Sequence, residues 1–250
     1  MDSYIRRFSY DGTLEGFLCT VLRILRVKTM PDEICPEYQA GLFGSGAERV
    51  RTDPAEAEYM YSLIGRRGSV EVQQMVSDFF LTSVPDMEKT LFGMIYLALR
   101  DGGQIAEDYS SDVMRRVHMA IRDLYREAQS VLTCIEFFRG EEASCAVIDP
   151  HNSVLPLIRK PLLKRDDIDD VVIYDKRHSL MLGRRGDMDI LTDIRNIPMT
   201  MPDSGSEAYD VLWPAVKEGK LDIRFAGDSA ASASHQGRRR NLEPLWSMAC

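Results

Sequence analysis

Tyr10-Asp11-Gly12-Thr13-Leu14-Glu15-Gly16-Phe17-Leu18 decides how this chain begins to fold. Just before and into it, Tyr4, Ile5, Phe8 and Tyr10 supply the β-branched and aromatic residues that fit a strand. Asp11-Gly12 then ends the extended run, because Asp bonds back to nearby backbone and Gly accepts positive φ. Beyond the turn, Leu14, Phe17, Leu18, Val21, Leu22 and Leu25 recur at helical spacing, which predicts a helix with a core-facing stripe. Cys19 falls inside that helix and reads as a small buried hydrophobe.

Helical signals fill the rest of the front half. Thr52-Asp53-Pro54 predicts a helix start, with Thr52 or Asp53 capping and Pro54 in the first turn. The predicted helix covers 55–64 and ends at Gly65. Further helices are predicted over 70–81 and 87–99, the latter closing near Gly102-Gly103. A long amphipathic run over 110–138 carries the stripe Val113, Val117, Ile121, Leu124 and Ala128.

After Gly140 the pattern changes. Short strands are predicted over 143–148, 171–174, 179–182 and 188–191, with a proline-broken helix over 154–163 and a last helix over 207–217. These periods make the chain α+β: a helical N-terminal half and a small mixed or antiparallel sheet built mainly by the C-terminal half, which the opening strand is expected to join. One domain is expected over 1–225, helical to about 139 and mixed from about 140. Residues 226–250 read as an Ala/Ser/Gly-rich linker and tail.

The 250 residues support a real core, and 44% hydrophobic with 28% charged content is ordinary for a soluble globular chain. No apolar run reaches the length of a membrane span, and early charges do not suit a signal peptide, so a cytoplasmic protein is expected. The five cysteines are scattered, which suits neither a disulfide framework nor a zinc ligand set. A net charge of −8 argues against a protein that binds polyanions over its whole surface. Locally the balance reverses: Arg159, Lys160, Lys164 and Arg165 crowd one stretch with no acid between them. The plainer reading is a solvated face balanced by Asp166, Asp167, Asp169 and Asp170.

Familiar chemical signatures are missing. There is no Walker A loop, no dinucleotide glycine fingerprint and no His-Glu-x-x-His pair, and no metal or cofactor is expected. Without a closely spaced cysteine triplet, the chain is not itself a cluster-bearing radical enzyme. Asp149-Pro150-His151-Asn152 can share acid–base work between Asp149 and His151, or simply start a helix with Asp149 or Asn152 as cap. Asp175-Lys176-Arg177-His178 follows a buried-looking strand; it fits a ligand-binding strand end and equally a charged hairpin turn. His118 lies in the long helix and reads as packed or surface.

Three blocks resemble a family of DNA-repair or DNA-metabolism proteins, typically encoded beside a DNA-modification radical-SAM protein and sometimes fused to a uracil-DNA-glycosylase-like domain. The blocks are Tyr10–Leu18, Ile148–Leu157 with Asn152, Val154 and Leu155, and Ile173–Arg177. Tyr209-Asp210-Val211-Leu212-Trp213 is a weaker fourth likeness. One departure stands out: the family's His-Arg-Met and Gly-Phe-Leu-Arg-Phe runs are replaced here by the stretch from Gln129-Ser130 to Phe137, without their basic residues. The resemblance implies a divergent member that binds nucleic acid or serves as partner of a radical-SAM protein. Asn152, Asp175 and Arg177 would form the site, and Arg159, Lys160, Lys164 and Arg165 would touch phosphate. Two rival expectations stand beside it: a nucleic-acid hydrolase or glycosylase using Asp149, His151 and Asp175, and a protein-interaction module with no nucleic-acid role, which the acidic balance favours.

Overall fold

Two units divide the chain, residues 1–122 and 123–250. The computed structural model describes residues 6–40, 46–165, 170–186, 188–195, 197 and 200–218. The predicted 226–250 linker and tail lies outside the described residues, as do Asp166, Asp167 and Asp169.

In the first unit, β1 (Arg7–Tyr10) is the central strand of a parallel three-stranded sheet, between β2 (Glu33–Pro36) and β3 (Glu48–Arg49). Crossover from β1 to β2 is made by α1 (Leu14–Val27), which starts where the sequence places it. Thr13 caps it, its Oγ1 accepting the Gly16 N–H at 3.0 Å. Asp11 fastens this corner. Its Oδ1 accepts the Thr13 N–H at 2.9 Å and the Thr13 hydroxyl at 2.6 Å, while Oδ2 accepts the Thr52 hydroxyl at 2.7 Å. One carboxylate therefore ties the end of β1 to the start of α1 and to the chain leaving β3. Gly12 turns the backbone with φ +85°. Gly16 is required by crowding: a Cβ there would collide with Asp11 Oδ1 and come 2.8 Å from Thr52 Oγ1.

The opening strand thus builds its own sheet and does not join the strands of the back half, which corrects the expectation. Its partner β2 follows directly after α1, so a short crossover supplies the pairing locally. A four-residue helix, α2 (Glu37–Ala40), follows β2.

The remaining helices of this unit stand close to their sequence signals. Asp53 caps α3 (Pro54–Arg67), accepting the Ala55 and Glu56 N–H groups at 2.8 and 3.1 Å. Contrary to the predicted stop at Gly65, α3 runs on to Gly68. The side chain of Gln73 packs against Gly65 and donates to the Tyr61 carbonyl at 2.8 Å, so Gly65 is a contact glycine. α4 (Val70–Phe80) is capped by Ser69, and α5 (Met87–Asp101) ends at Gly102, with a 3-10 turn over Gly103–Glu107. α6 (Asp112–Cys134) begins beyond Asp108, whose Oδ1 accepts the Ser110 N–H at 2.9 Å, and stops short of Phe138. Phe17, Val21, Met60, Ile64, Val76, Phe79, Leu91, Ile95, Met114 and Val117 share one buried core.

In the second unit the strands form a five-stranded mixed sheet in the order β4-β5-β6-β7-β8. They are β4 (Phe138–Arg139), β5 (Ser144–Ile148), β6 (Val171–Asp175), β7 (Leu180–Arg185) and β8 (Met188–Asp193). β5 and β6 are parallel and joined by α7 (Leu155–Leu163); the other neighbours are antiparallel. α7 is one helix where a broken one was expected. Pro156 sits in the first turn, and Pro161 is carried inside a helix anchored by buried Leu155, Leu157, Ile158 and Leu162. α8 (Gly205–Lys217) packs with Cys145, Val172, Tyr174 and Met181 through Ala208, Leu212 and Trp213. Burial pushes the Cys145 thiol up to about 12.

The architecture is α+β, with a helical N-terminal half and a strand-rich C-terminal part. Among the described residues no helix is long and apolar enough to cross a membrane.

Replacing Gly16 with Ala is expected to destabilise the fold by about 2–3 kcal/mol, an overpacking cost without backbone relief. Urea unfolding of G16A against the parent chain measures it; an unchanged midpoint contradicts the crowding at Asp11.

Candidate functional site

Parallel pairing puts two strand ends side by side. Ile148, the last residue of β5, is in register with Asp175, the last of β6. Chain leaving such paired carboxyl ends commonly carries ligand-binding side chains. Here β5 runs into Asp149-Pro150-His151-Asn152, and β6 runs into the hairpin turn Lys176-Arg177-His178-Ser179 that leads to β7. The Lys176 N–H donates to the Ile148 carbonyl at 2.9 Å and holds the two exits together. Arg177 reaches across to Asp149, Nε to Oδ1 at 3.0 Å. Lys176 pairs with Asp203, which holds its ammonium above the ordinary lysine range.

Asp175 is the deepest polar group of this corner, with 0% exposure. A buried carboxylate is costly unless it is bonded. Both oxygens are engaged by one residue: Oδ1 accepts the His178 N–H at 3.1 Å, and Oδ2 lies 2.8 Å from His178 Nδ1. An ionised carboxylate can only accept, so this contact puts the ring proton on Nδ1 and fixes the orientation of the imidazole. Ser179 completes the turn in the left-handed region, φ 54°. The plain hairpin and the strand-end site are therefore one structure.

Asn152 is held from another direction. Its N–H and Nδ2 donate to Glu127 Oε2 at 2.9 and 2.7 Å, and the His151 N–H donates to Glu127 Oε1 at 2.5 Å. The carboxylate of Glu127 on α6 thus takes three donors from one loop and sets its path. Neither Asp149 nor Asn152 caps α7. Val154 occupies the cap position, and no side chain bonds there.

The basic candidates follow the crossover. Lys160 and Lys164 are exposed, Lys160 on α7 and Lys164 at its end, while Arg159 pairs with Asp189 on β8. The guanidinium of Arg165 lies 5.7 Å from the Phe137 ring centre. The strand end gathers Asp149, Asp175 and Arg177, Glu127 holds His151 and Asn152, and the cations of α7 lie along the connection between the strands.

Two members of this corner lie outside the predicted site residues. His178 stands in the string Asp175-Lys176-Arg177-His178, and its signal is an Asp three residues before a His across a tight turn. Glu127 gave no local signal, because its three bonds join positions 24 and 25 residues apart. Among the described residues no group of three or more His, Cys, Asp or Glu side chains is arranged to hold a metal ion.

The domain of unknown function DUF4130 matches residues 85–218, which takes in α5, α6 and the whole second sheet. That is more than half of the chain, and the protein belongs to this family. No curated protein and no solved structure matches it.

Asp175→Asn keeps the size of the side chain but removes its charge. The expected cost is about 1–3 kcal/mol, from weakened bonds to His178. The His178 ring should also lose its Nδ1–H preference, read from imidazole nitrogen shifts by NMR. An unchanged tautomer in D175N contradicts the orienting role.

Proposed function

We propose that this chain is a nucleic-acid-binding protein of DNA repair or DNA metabolism that works beside a radical-SAM protein, which brings the cluster chemistry. The observation that carries this reading is the meeting of two stretches on which the family resemblance rests. Ile148–Leu157 and Ile173–Arg177 leave neighbouring parallel strands at the same end, in register at Ile148 and Asp175. Distant segments that converge on one exposed strand end mark a ligand site more strongly than either does alone.

Charge supports nucleic acid as the ligand. Arg177 and Lys176 sit on the turn itself, and Lys160 and Lys164 stand along the connection. The Arg177–Asp149 pair is half exposed, so it costs little to exchange Asp149 for a phosphate oxygen. Local cations of this kind bind phosphate even on a chain with net charge −8.

A second reading rests on the Asp175–His178 contact. A carboxylate that orients an imidazole is a common device of acid–base catalysis, so a nucleic-acid hydrolase or glycosylase would use this pair, with Asp149 nearby. On that reading His178, whose ring is set by Asp175, takes the part expected of His151.

DNA affinity of the full chain should fall steeply with salt. Replacing Lys160, Lys164 and Arg177 with Gln should reduce the slope of log affinity against log salt by about 0.9 for each lost duplex phosphate contact. Affinity that stays flat as salt rises removes the phosphate reading. Turnover of a modified-base oligonucleotide that is unaffected by D175N and by H178Q removes the enzyme reading.

A further inference from the structure

The seam between α5 and α6 holds an open cleft that neither the strand end nor its basic crossover uses. Its volume is about 610 Å³, and it is lined by Thr90, Asp112, Val113, Arg115, Arg116 and Met119. Beside it, Gly93 of α5 stands close to Val113: a Cβ there would meet the valine at 3.7 Å. Met119 is 57% exposed on the wall. Two arginines line it. Arg115 pairs with Asp112, and among the described residues no carboxylate pairs with Arg116.

The helix that lines this cleft, α6, also carries one half of an aromatic pair. Tyr109, in the segment before α6, stacks on His118 with ring centres 4.5 Å apart and planes 23° from parallel. His118 and Arg115 are three residues apart on α6 and therefore neighbours on its surface. The Nε2 atom of His118 is buried and, among the described residues, has no hydrogen-bond partner. Tyr109 itself is 65% exposed. One face of its ring is braced by the imidazole, and the ring is open to solvent beyond it.

We infer that this surface is a second contact for nucleic acid, and that it takes single-stranded segments. The inference rests on the nucleic-acid reading of the strand end. Charge and shape argue for a strand over an acidic peptide. A peptide needs cations and an apolar floor, whereas a braced, exposed ring stacked on the helix that carries the two arginines matches an unpaired base and its phosphates. Stacking on such rings tolerates every base, because each has a π-face, and it requires bases that are not already stacked in a duplex. Arginine lining the cleft adds phosphate contact. Pre-bracing by His118 lowers the ordering cost when a base arrives.

The test is fluorescence anisotropy of the full chain with a labelled single-stranded DNA of about 16 nucleotides. Tyr109→Ala should weaken binding about tenfold, and Tyr109→Phe should preserve it. Arg115→Gln with Arg116→Gln should reduce the salt slope by about 0.7 for each arginine that touches a phosphate. All three positions lie at the surface, and circular dichroism checks that the variants fold. If the parent chain binds and these variants bind equally well, the cleft is not a nucleic-acid contact and the strand-end reading still stands. If the parent chain binds no DNA at all, both readings fall. Displacement of the DNA by oligoglutamate of equal charge, as readily as by unlabelled DNA, would show charge alone at work and overturn the stacking platform.

Discussion

The parallel register of β5 and β6 is the constraint on which the candidate site depends. Antiparallel neighbours would send the two exits to opposite ends of the sheet. Because α7 returns the chain in the same direction, Ile148 and Asp175 finish together, and Asp149 meets Arg177 at once. Asp175 then needs partners for a buried charge, and the tight turn supplies both from His178. Placing the imidazole follows from satisfying the carboxylate. Glu127 does the matching work on the other exit, where three donors from His151 and Asn152 converge on one side chain.

The opening motif is spent on the fold in a comparable way. Asp11 bonds Thr13 and Thr52, Gly12 supplies positive φ, and Gly16 leaves room for the carboxylate above it. Phe17 and Leu18 go into the core. Asp11, Gly12, Thr13, Gly16, Phe17 and Leu18 therefore have structural duties in the first unit, whereas the candidate site belongs to the second. The family match, over residues 85–218, lies wholly beyond this motif.

Most helices were legible because their apolar stripes repeat at 3.6 residues and their caps are local: Thr13, Asp53 and Ser69 all cap as their residue types suggest. The errors have long-range causes. Gly65 looked like a stop, but Gln73 of the next helix packs against it and α3 continues. Pro161 looked like a break, but buried Ile158 and Leu162 hold α7 in one piece. β2 and β3 are four and two residues long, with a proline in β2, and only pairing to β1 makes them strands. In the site, Asp175 and His178 lie within one turn and their contact was readable in principle. Glu127 was not, since nothing near it in the chain points to a loop 24 residues away.

Nucleic acid bound at the end of β5 and β6 is the central claim. Hydrogen exchange of the full chain with and without an oligonucleotide tests it most directly, because it reports on backbone segments without altering any residue. The account predicts slower exchange on binding over residues 149–152 and 176–179. Binding that leaves both segments exchanging at their free rates would contradict it.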